Sequence, residues 1–359
     1  MPSFRTHRVS RVLAERAGLQ RVELDDGSRA YVLRQLIGDV APGDEVVVNT
    51  TAVELGLGTG GWHVVHWNLA RRDLDLPGRG HIMKLRYTSL QADAGAAEEE
   101  AAEPELEGPV ALPDLHGVPV LVGSLHSQLG VVAAVLATAP RPPRVSYVMS
   151  DGAALPIALS DLVADLRERD LLHGTITAGH AFGGDLEAVG IASALRLAVE
   201  RQRADVVVCT MGPGVVGTET MLGTTALEVA AIATTAVQLG ARPVVVARAS
   251  GSDPRPRHRG VSHHTRTALA LTPVAVEVAL PAGDALAGAI RPPHRAVEVE
   301  VPDVASVLDR FGLRTTTMGR GPADDPLSFR AAAAAAVVAA AAAAPAASPV
   351  ARPGTVSGA

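Results

Sequence analysis

Between residue 110 and about residue 290, five short apolar runs alternate with helix-forming stretches, which leaves few folds open. The runs are 119–123 (PVLVG), 144–149 (RVSYVM), 174–178 (GTITA), 205–210 (DVVVCT) and 243–248 (PVVVAR). They are strand-length and apolar at successive positions, as strands covered on both faces must be. The stretches 127–138, 156–169, 185–202, 221–239 and 262–271 supply crossover helices. In the fourth, Met221, Leu222, Ala226, Val229, Ala230 and Ala233 recur near the helical period. The expected architecture is α/β, a doubly wound and mostly parallel sheet. Apolar residues make up 47% of the chain but aromatic ones only 3%, so the core is built from Ala, Val and Leu.

Residues 1–90 differ. Short alternating runs separated by DDGS, APGD and GLGTGG predict a small antiparallel β-barrel. Residues 91–109 are acidic and Ala-rich and read as a linker. The α/β domain is expected over 110–330, with a late helix at 301–312 closed by Gly312. Residues 331–359 begin with an alanine run that has no polar face and read as a low-complexity, disordered tail.

Several function classes lose support. A net charge of −6 gives no global pull toward nucleic acid or an anionic membrane. No uncharged apolar run reaches membrane-spanning length, and the first residues lack the apolar core of a signal peptide. Cys209 is the only cysteine, so no internal disulfide forms, and it reads as a small buried residue. The expected setting is the cytoplasm. A homodimer is expected only on the general prevalence of symmetric pairs.

The two ends of the strands differ in chemistry. Their amino ends are entered through PRPPR, RERDLL, ERQRAD and GARP. Their carboxyl ends leave through GSLHSQLG, SDGAALP, GHAFGGD, MGPGVVGT and ASGSDPRPRHRGVSHHT. Open α/β sheets bind ligands outside the carboxyl ends, so the site is expected there. Gly212, Gly214 and Gly217 follow a strand in G-x-G-x-x-G order and point to backbone contact with an anion at a helix N-terminus. Pro213 removes one donor and the next strand ends in Arg248 rather than an acid, so a dinucleotide is not favoured. Arg255, Arg257 and Arg259 supply forks for phosphate or carboxylate, with His263 and His264 beside them. Adjacent helical histidines point about 100° apart, so an anion clamp is preferred to a metal site and no metal ligands are assigned. His180 and Asp151 are the acid–base candidates. Lys84, the only lysine beside 31 arginines, marks a place where a compact ammonium is needed and is carried as a third catalytic candidate. His126, Ser127 and Asp185 complete the ligand set, although Ser127 and Asp185 also suit helix caps.

GRGHIMKLRYTSLQ, SLHSQL, YVMSDGAALP, GHAFGGD, MGPGVVGTETMLG and DPRPRHRGVSHHT together resemble the bacterial DUF3866 family over nearly the whole chain to about residue 280. The resemblance implies no activity. Glu219 departs from the GTGT that more often follows in the family's glycine loop. The residues favour a hydrolase or group transferase acting on a small phosphorylated or nucleotide-like anion, with no cofactor assigned. The alternatives are a non-catalytic nucleotide sensor and a metal-dependent hydrolase using His180, Asp151, Asp185 and a histidine of 258–264.

Overall fold

The computed structural model describes residues 2–78, 80–100 and 110–343. The chain opens with β1 (Phe4–Arg16), β2 (Leu19–Leu24), β3 (Arg29–Leu33), α1 (Arg34–Ile37), β4 (Glu45–Asn49), α2 (Thr51–Glu54) and β5 (Trp62–Asn68). The five strands close into a barrel of order β1-β2-β3-β5-β4. All pairs are antiparallel as expected except β3–β5, which is parallel. β1 serves two partners, β4 with its first half and β2 with its second, and irregularities near Val9–Arg11 and Val12–Ala14 bend it between them. Every second residue points inward, so Val22, Leu24, Ala30, Val32, Val46 and Val48 fill the barrel.

A hairpin of β6 (Met83–Lys84) and β7 (Ala92–Asp93) follows. The expected linker is therefore ordered in its first part. Residues Ala97–Glu100 form a short 3-10 turn against the sheet edge, where Glu98 accepts from the Val189 backbone N at 2.9 Å and Glu100 pairs with Arg201 at 2.7 Å. Residues 101–109 lie outside the described residues.

The second domain contains β8 (Pro119–Gly123), α3 (Gln128–Leu136), β9 (Val145–Ser150), α4 (Asp161–Glu168), β10 (Gly174–Ala178), β11 (Leu186–Ala188), α5 (Ile191–Glu200), β12 (Val206–Met211), α6 (Glu228–Gln238) and β13 (Arg242–Val246). It continues with β14 (Ala249–Ser250), β15 (Gly260–Val261), α7 (His263–Leu271), β16 (Glu277–Pro281), β17 (Arg295–Val299), α8 (Val304–Arg310) and α9 (Pro326–Ala343). Eight strands form one parallel sheet, β11-β10-β9-β12-β8-β13-β16-β17. Buried residues of α3, α4, α8 and α9 cover one face, and those of α5, α6 and α7 the other. The doubly wound fold and the barrel are as the sequence predicted. Asp161, at the start of α4, ties the two units by pairing with Arg16 at 2.5 Å and Arg21 at 2.6 Å.

The alanine run departs from expectation. It forms most of α9, whose residues Ala331–Ala336 are fully buried between α3 and strands β8, β13 and β16. Alanine has the highest helix propensity and the smallest side chain that keeps it, so the helix axis approaches the sheet closely. A polar face is unnecessary because the helix is enclosed rather than amphipathic. α9 is long and apolar enough to cross a membrane by length and composition, but half of that window is buried within the domain, so we read it as a core helix. Residues 344–359 lie outside the described residues.

Packing this tight leaves no room for growth. Ala334→Leu should destabilise the protein by about 1–3 kcal/mol through overpacking, whereas Ala341→Leu on the exposed end of α9 should stay within about 0.5 kcal/mol. Urea unfolding of the two variants checks the contrast; equal midpoints would show that α9 is not a core element.

Candidate functional site

The winding opens crevices at the strand carboxyl ends. β9 and β8 pass their chains to α4 and α3 on one face, while β12 and β13 pass theirs toward α6 and α7 on the other. Because the order reads β9-β12-β8-β13, each neighbouring pair diverges, which is the geometry of a ligand-binding switch point.

At the β9–β12 crevice the Ser150 hydroxyl donates to Glu228 Oε2 at 2.7 Å. Glu228 opens α6, and a Cβ on Gly152 would come within 2.5 Å of that same oxygen, so a larger residue there would displace the carboxylate. Burial raises the Glu228 pKa, and neighbouring Asp151 adds to the rise. Asp151 is exposed and accepts from the His180 backbone N at 3.1 Å. The Leu85 backbone N donates to His180 Nδ1 at 3.0 Å, so a neutral His180 carries its proton on Nε2 and can donate but not abstract there. Glu228 was missed in the sequence because it sits inside an amphipathic helix pattern, where a carboxylate reads as solvated surface.

Lys84 is not poised for catalysis. It is fully buried, and its Nζ donates to the carbonyls of Ala181 (2.9 Å), Ala188 (3.1 Å) and Thr177 (3.4 Å), with Glu187 at 3.4 Å. Burial lowers the Lys84 pKa against the opposing pull of Glu187, and burial raises that of Glu187. One ammonium serves three carbonyls and a carboxylate from different directions, which a planar guanidinium cannot do. The surviving lysine thus marks a structural tether between the β6 segment and β10–β11.

His126 is likewise internal. Its Nδ1 meets Tyr147 Oη at 3.1 Å and its Nε2 meets Ser160 Oγ at 2.6 Å, and Ser160 also caps α4 by accepting from the Val163 backbone N. Burial lowers the His126 pKa to about 4. Ser127 makes no capping hydrogen bond and lies toward α9, beside Thr317 and Phe329. In the same loop Ser124 is the residue of interest, since its hydroxyl is buried at the end of β8 with no partner among the described residues. Asp185 sits beside the amino half of β10, accepting from the Thr175 backbone N at 2.9 Å and pairing with Arg167 at 3.0 Å. It neither caps α5, whose cap is Gly190, nor reaches the cleft. The Cys209 thiol is buried, and burial raises its pKa, so it is unreactive.

The glycine loop follows β12 but does not lead straight into a helix. It folds back on itself through a Gly217–Thr224 bridge and a bond from the Thr218 backbone N to the Gly223 carbonyl at 2.7 Å, and α6 begins only at Glu228. The expected helix start at 221 is corrected, and with it the expected cradle at a helix N-terminus. Gly212 abuts the Ala154 carbonyl, where a Cβ would approach to 2.5 Å. Gly214 takes φ +103°, and Gly217 faces Thr224 and the His264 ring.

That contact joins the glycine loop to the arginine loop. Asp253 is buried and organises the latter. It binds Arg255 through two bonds of 2.9 Å and Arg320 at 3.4 Å, and its carbonyl accepts from Arg259 Nε at 3.0 Å. The hydrogen bonds from Arg255 hold its carboxyl well below the usual range. Arg255 is therefore held by Asp253, whereas Arg259 is anchored through its Nε alone and stays exposed. Arg257 differs: among the described residues its Nε is buried without a partner, and its one ion pair is a 4.0 Å approach to exposed Glu219. Arg248, buried at the end of β13, donates to His264 Nδ1 at 2.9 Å. Burial lowers its pKa to about 10, so it stays charged at neutral pH. Arg320, about 70 residues away in sequence, completes the cationic surround.

His258, His263 and His264 converge, with ring centroids 4.3 to 4.9 Å apart. The expectation that adjacent helical histidines diverge is thus corrected at a helix start. One nitrogen of each lies within 4.8 Å of the others, a spacing that suits a metal. Proton placement opposes one. An arginine only donates, so His264 Nδ1 accepts, its Nε2 carries the proton, and no lone pair remains for an ion. The neighbouring guanidiniums also repel a cation. The quartet of His180, Asp151, Asp185 and a cluster histidine is not assembled. Beside the Arg248–His264 pair, Arg257 Nε and His263 Nε2 are buried with no hydrogen-bond partner among the described residues.

Fold and site together define a two-unit protein, a five-strand barrel tied to a doubly wound α/β domain that gathers arginines and histidines at its strand carboxyl ends. The DUF3866 family, described as protein of unknown function, matches residues 29–336, and the chain belongs to that family. The comparison with curated proteins gave no match.

Two outcomes follow from these environments. Lys84→Met strands Glu187 and three carbonyls, and should cost about 3–5 kcal/mol, the range for breaking a buried pair; a loss under about 1 kcal/mol in denaturant unfolding would contradict the tether. The folded pKa values of His126 and His258 near 4 and of His264 near 3 lie below the ordinary 6.5. The unfolded chain then takes up protons first, so their contribution is complete above pH 6.5 and lost as pH falls toward 4. Glu187 and Glu228, with raised values, act in the opposite sense. The check is the variant: His126→Asn should flatten the decline between pH 6.5 and 4 relative to the parent.

Proposed function

We propose that this protein is a hydrolase or group transferase acting on a small phosphorylated, nucleotide-like anion bound across the strand carboxyl ends. The observation that supports this reading is the pair of buried, unpartnered groups, Arg257 Nε and His263 Nε2, beside the charged Arg248. Leaving such groups unsatisfied costs about 1–3 kcal/mol each, a cost that a bound anion removes. Phosphate suits the cluster because guanidinium forks match its oxygens and the depressed histidines gain protons as negative charge enters. Gly217 faces His264, which allows backbone approach from the opposite side.

The acid–base end lies at β9. Three strand spacings, roughly 14 Å, separate the ends of β9 and β13, which favours a ligand of nucleotide length over free phosphate. Glu228, held by Ser150 with its pKa raised, suits proton donation, and exposed Asp151 suits proton acceptance.

A second reading is a sensor without turnover. It is favoured by the state of the bases: His180 and His264 both use Nδ1 as an acceptor, and Lys84 is consumed by carbonyls. Recovery of the bound ligand unchanged after prolonged incubation would support it.

Thermal unfolding against phosphate, nucleotides and sugar phosphates tests the shared core of both readings. A ligand at about 100 times its Kd should add about 2.7 kcal/mol. Arg257→Ala should weaken that ligand at least tenfold while leaving the unliganded Tm nearly unchanged. Equal affinity in the variant would remove the anion cleft from consideration.

A further inference from the structure

The outer face of the barrel carries chemistry that the strand-end cleft does not use. Arg11 pairs across strands with Glu23, Glu23 with Arg29, and Arg29 with Trp62. Arg21 pairs with Tyr31 in the next row. Cross-strand partners share a face, and the alternating Val22, Ala30 and Val32 are the ones that fill the barrel. The Tyr31 and Trp62 rings stack 4.8 Å apart with 16° between their planes. The Arg29 guanidinium lies 4.6 Å from the Trp62 ring centre, and that of Arg21 lies 5.7 Å and 5.5 Å from Tyr31 and Trp62. Both rings keep part of their surface exposed.

The placement is unusual for this chain. It has only two tryptophans and three tyrosines, yet one of each stands where it adds nothing to a core. Arg29 is exposed and makes no ion pair among the described residues, whereas Arg11 is held by Glu23 and Arg21 by Asp161. Beside Trp62, the β4–β5 loop exposes Leu55 and Leu57, and its Gly56, Gly58 and Gly61 have open space where a Cβ would stand.

We propose that this face binds single-stranded nucleic acid, with bases stacking on Tyr31 and Trp62 and phosphates meeting Arg29. Flat π faces accept any base, and a guanidinium can leave a ring to clamp a phosphate. Five-strand Greek-key barrels use their β2–β3 face for oligonucleotides and oligosaccharides; the side chains choose between these, because a neutral sugar gives Arg29 no charge to pair with. The net charge of −6 averages the whole chain; on this face Glu23 and Asp161 pair with Arg11 and Arg21, and Arg29 is left without an ion pair among the described residues. The inference stands independently of the strand-end cleft.

The experiment uses the full chain carrying Trp67→Phe, which leaves Trp62 as the only tryptophan. It is titrated with oligothymidylate and oligouridylate of about 15 nucleotides, within the site sizes of such barrels. We expect saturable quenching of Trp62 emission, an affinity that falls with salt, and a loss of about tenfold for Tyr31→Ala and for Arg29→Ala. Arg257→Ala should leave the titration unchanged, which separates this surface from the cleft. Anisotropy of a labelled strand on the unsubstituted chain guards against damage from Trp67→Phe. The proposal is overturned by absence of both quenching and anisotropy change, by binding insensitive to Tyr31→Ala and Arg29→Ala, by loss on Arg257→Ala, or by salt-independent quenching with a neutral oligosaccharide instead.

Discussion

A parallel sheet must be covered on both faces, and the division of that cover shapes the rest of this protein. β12 inserts between β8 and β9, so neighbouring strands send their chains to opposite faces. The crevices between β9, β12, β8 and β13 follow from that order alone. Alanine-rich α9 completes the cover over β8, β13 and β16, and its small side chains let a helix lie close against a sheet poor in aromatic residues.

At the carboxyl end of β13, one buried carboxylate sorts the arginines. Asp253 takes Arg255 and Arg320 by its side chain and Arg259 by its carbonyl, so the loop is tied together at its base. Arg257 is left over, and Arg248 is fixed against His264. The same arginine fixes the proton of His264 on Nε2, which leaves that imidazole no lone pair for a metal. Charge here acts less by net sum than by which groups are already satisfied.

Lys84 makes the same point in reverse. Its rarity singled it out correctly, but as a tether rather than a reagent, because its nitrogen is enclosed by carbonyls from β10, β11 and the loop between them. Rarity signals a geometric demand, and only the neighbours say whether that demand is structural or chemical.

The local pattern was enough to place five strands of the sheet to within a residue or two, the barrel ahead of them, and the chemically rich rim, because apolar period and turn residues are local quantities. The glycine and arginine segments were legible for the same reason. Tertiary structure decided the rest. It enclosed His126, took Asp185 to the amino half of β10, paired Arg255 with Asp253, and brought Arg320 to a loop that ends near residue 262. It also buried the alanine run that read as a tail, since an enclosed helix needs no polar face and so carries no amphipathic signal. The reason is common to all of these: a side chain's chemistry depends on what satisfies its donors and acceptors, and those partners come from far along the chain.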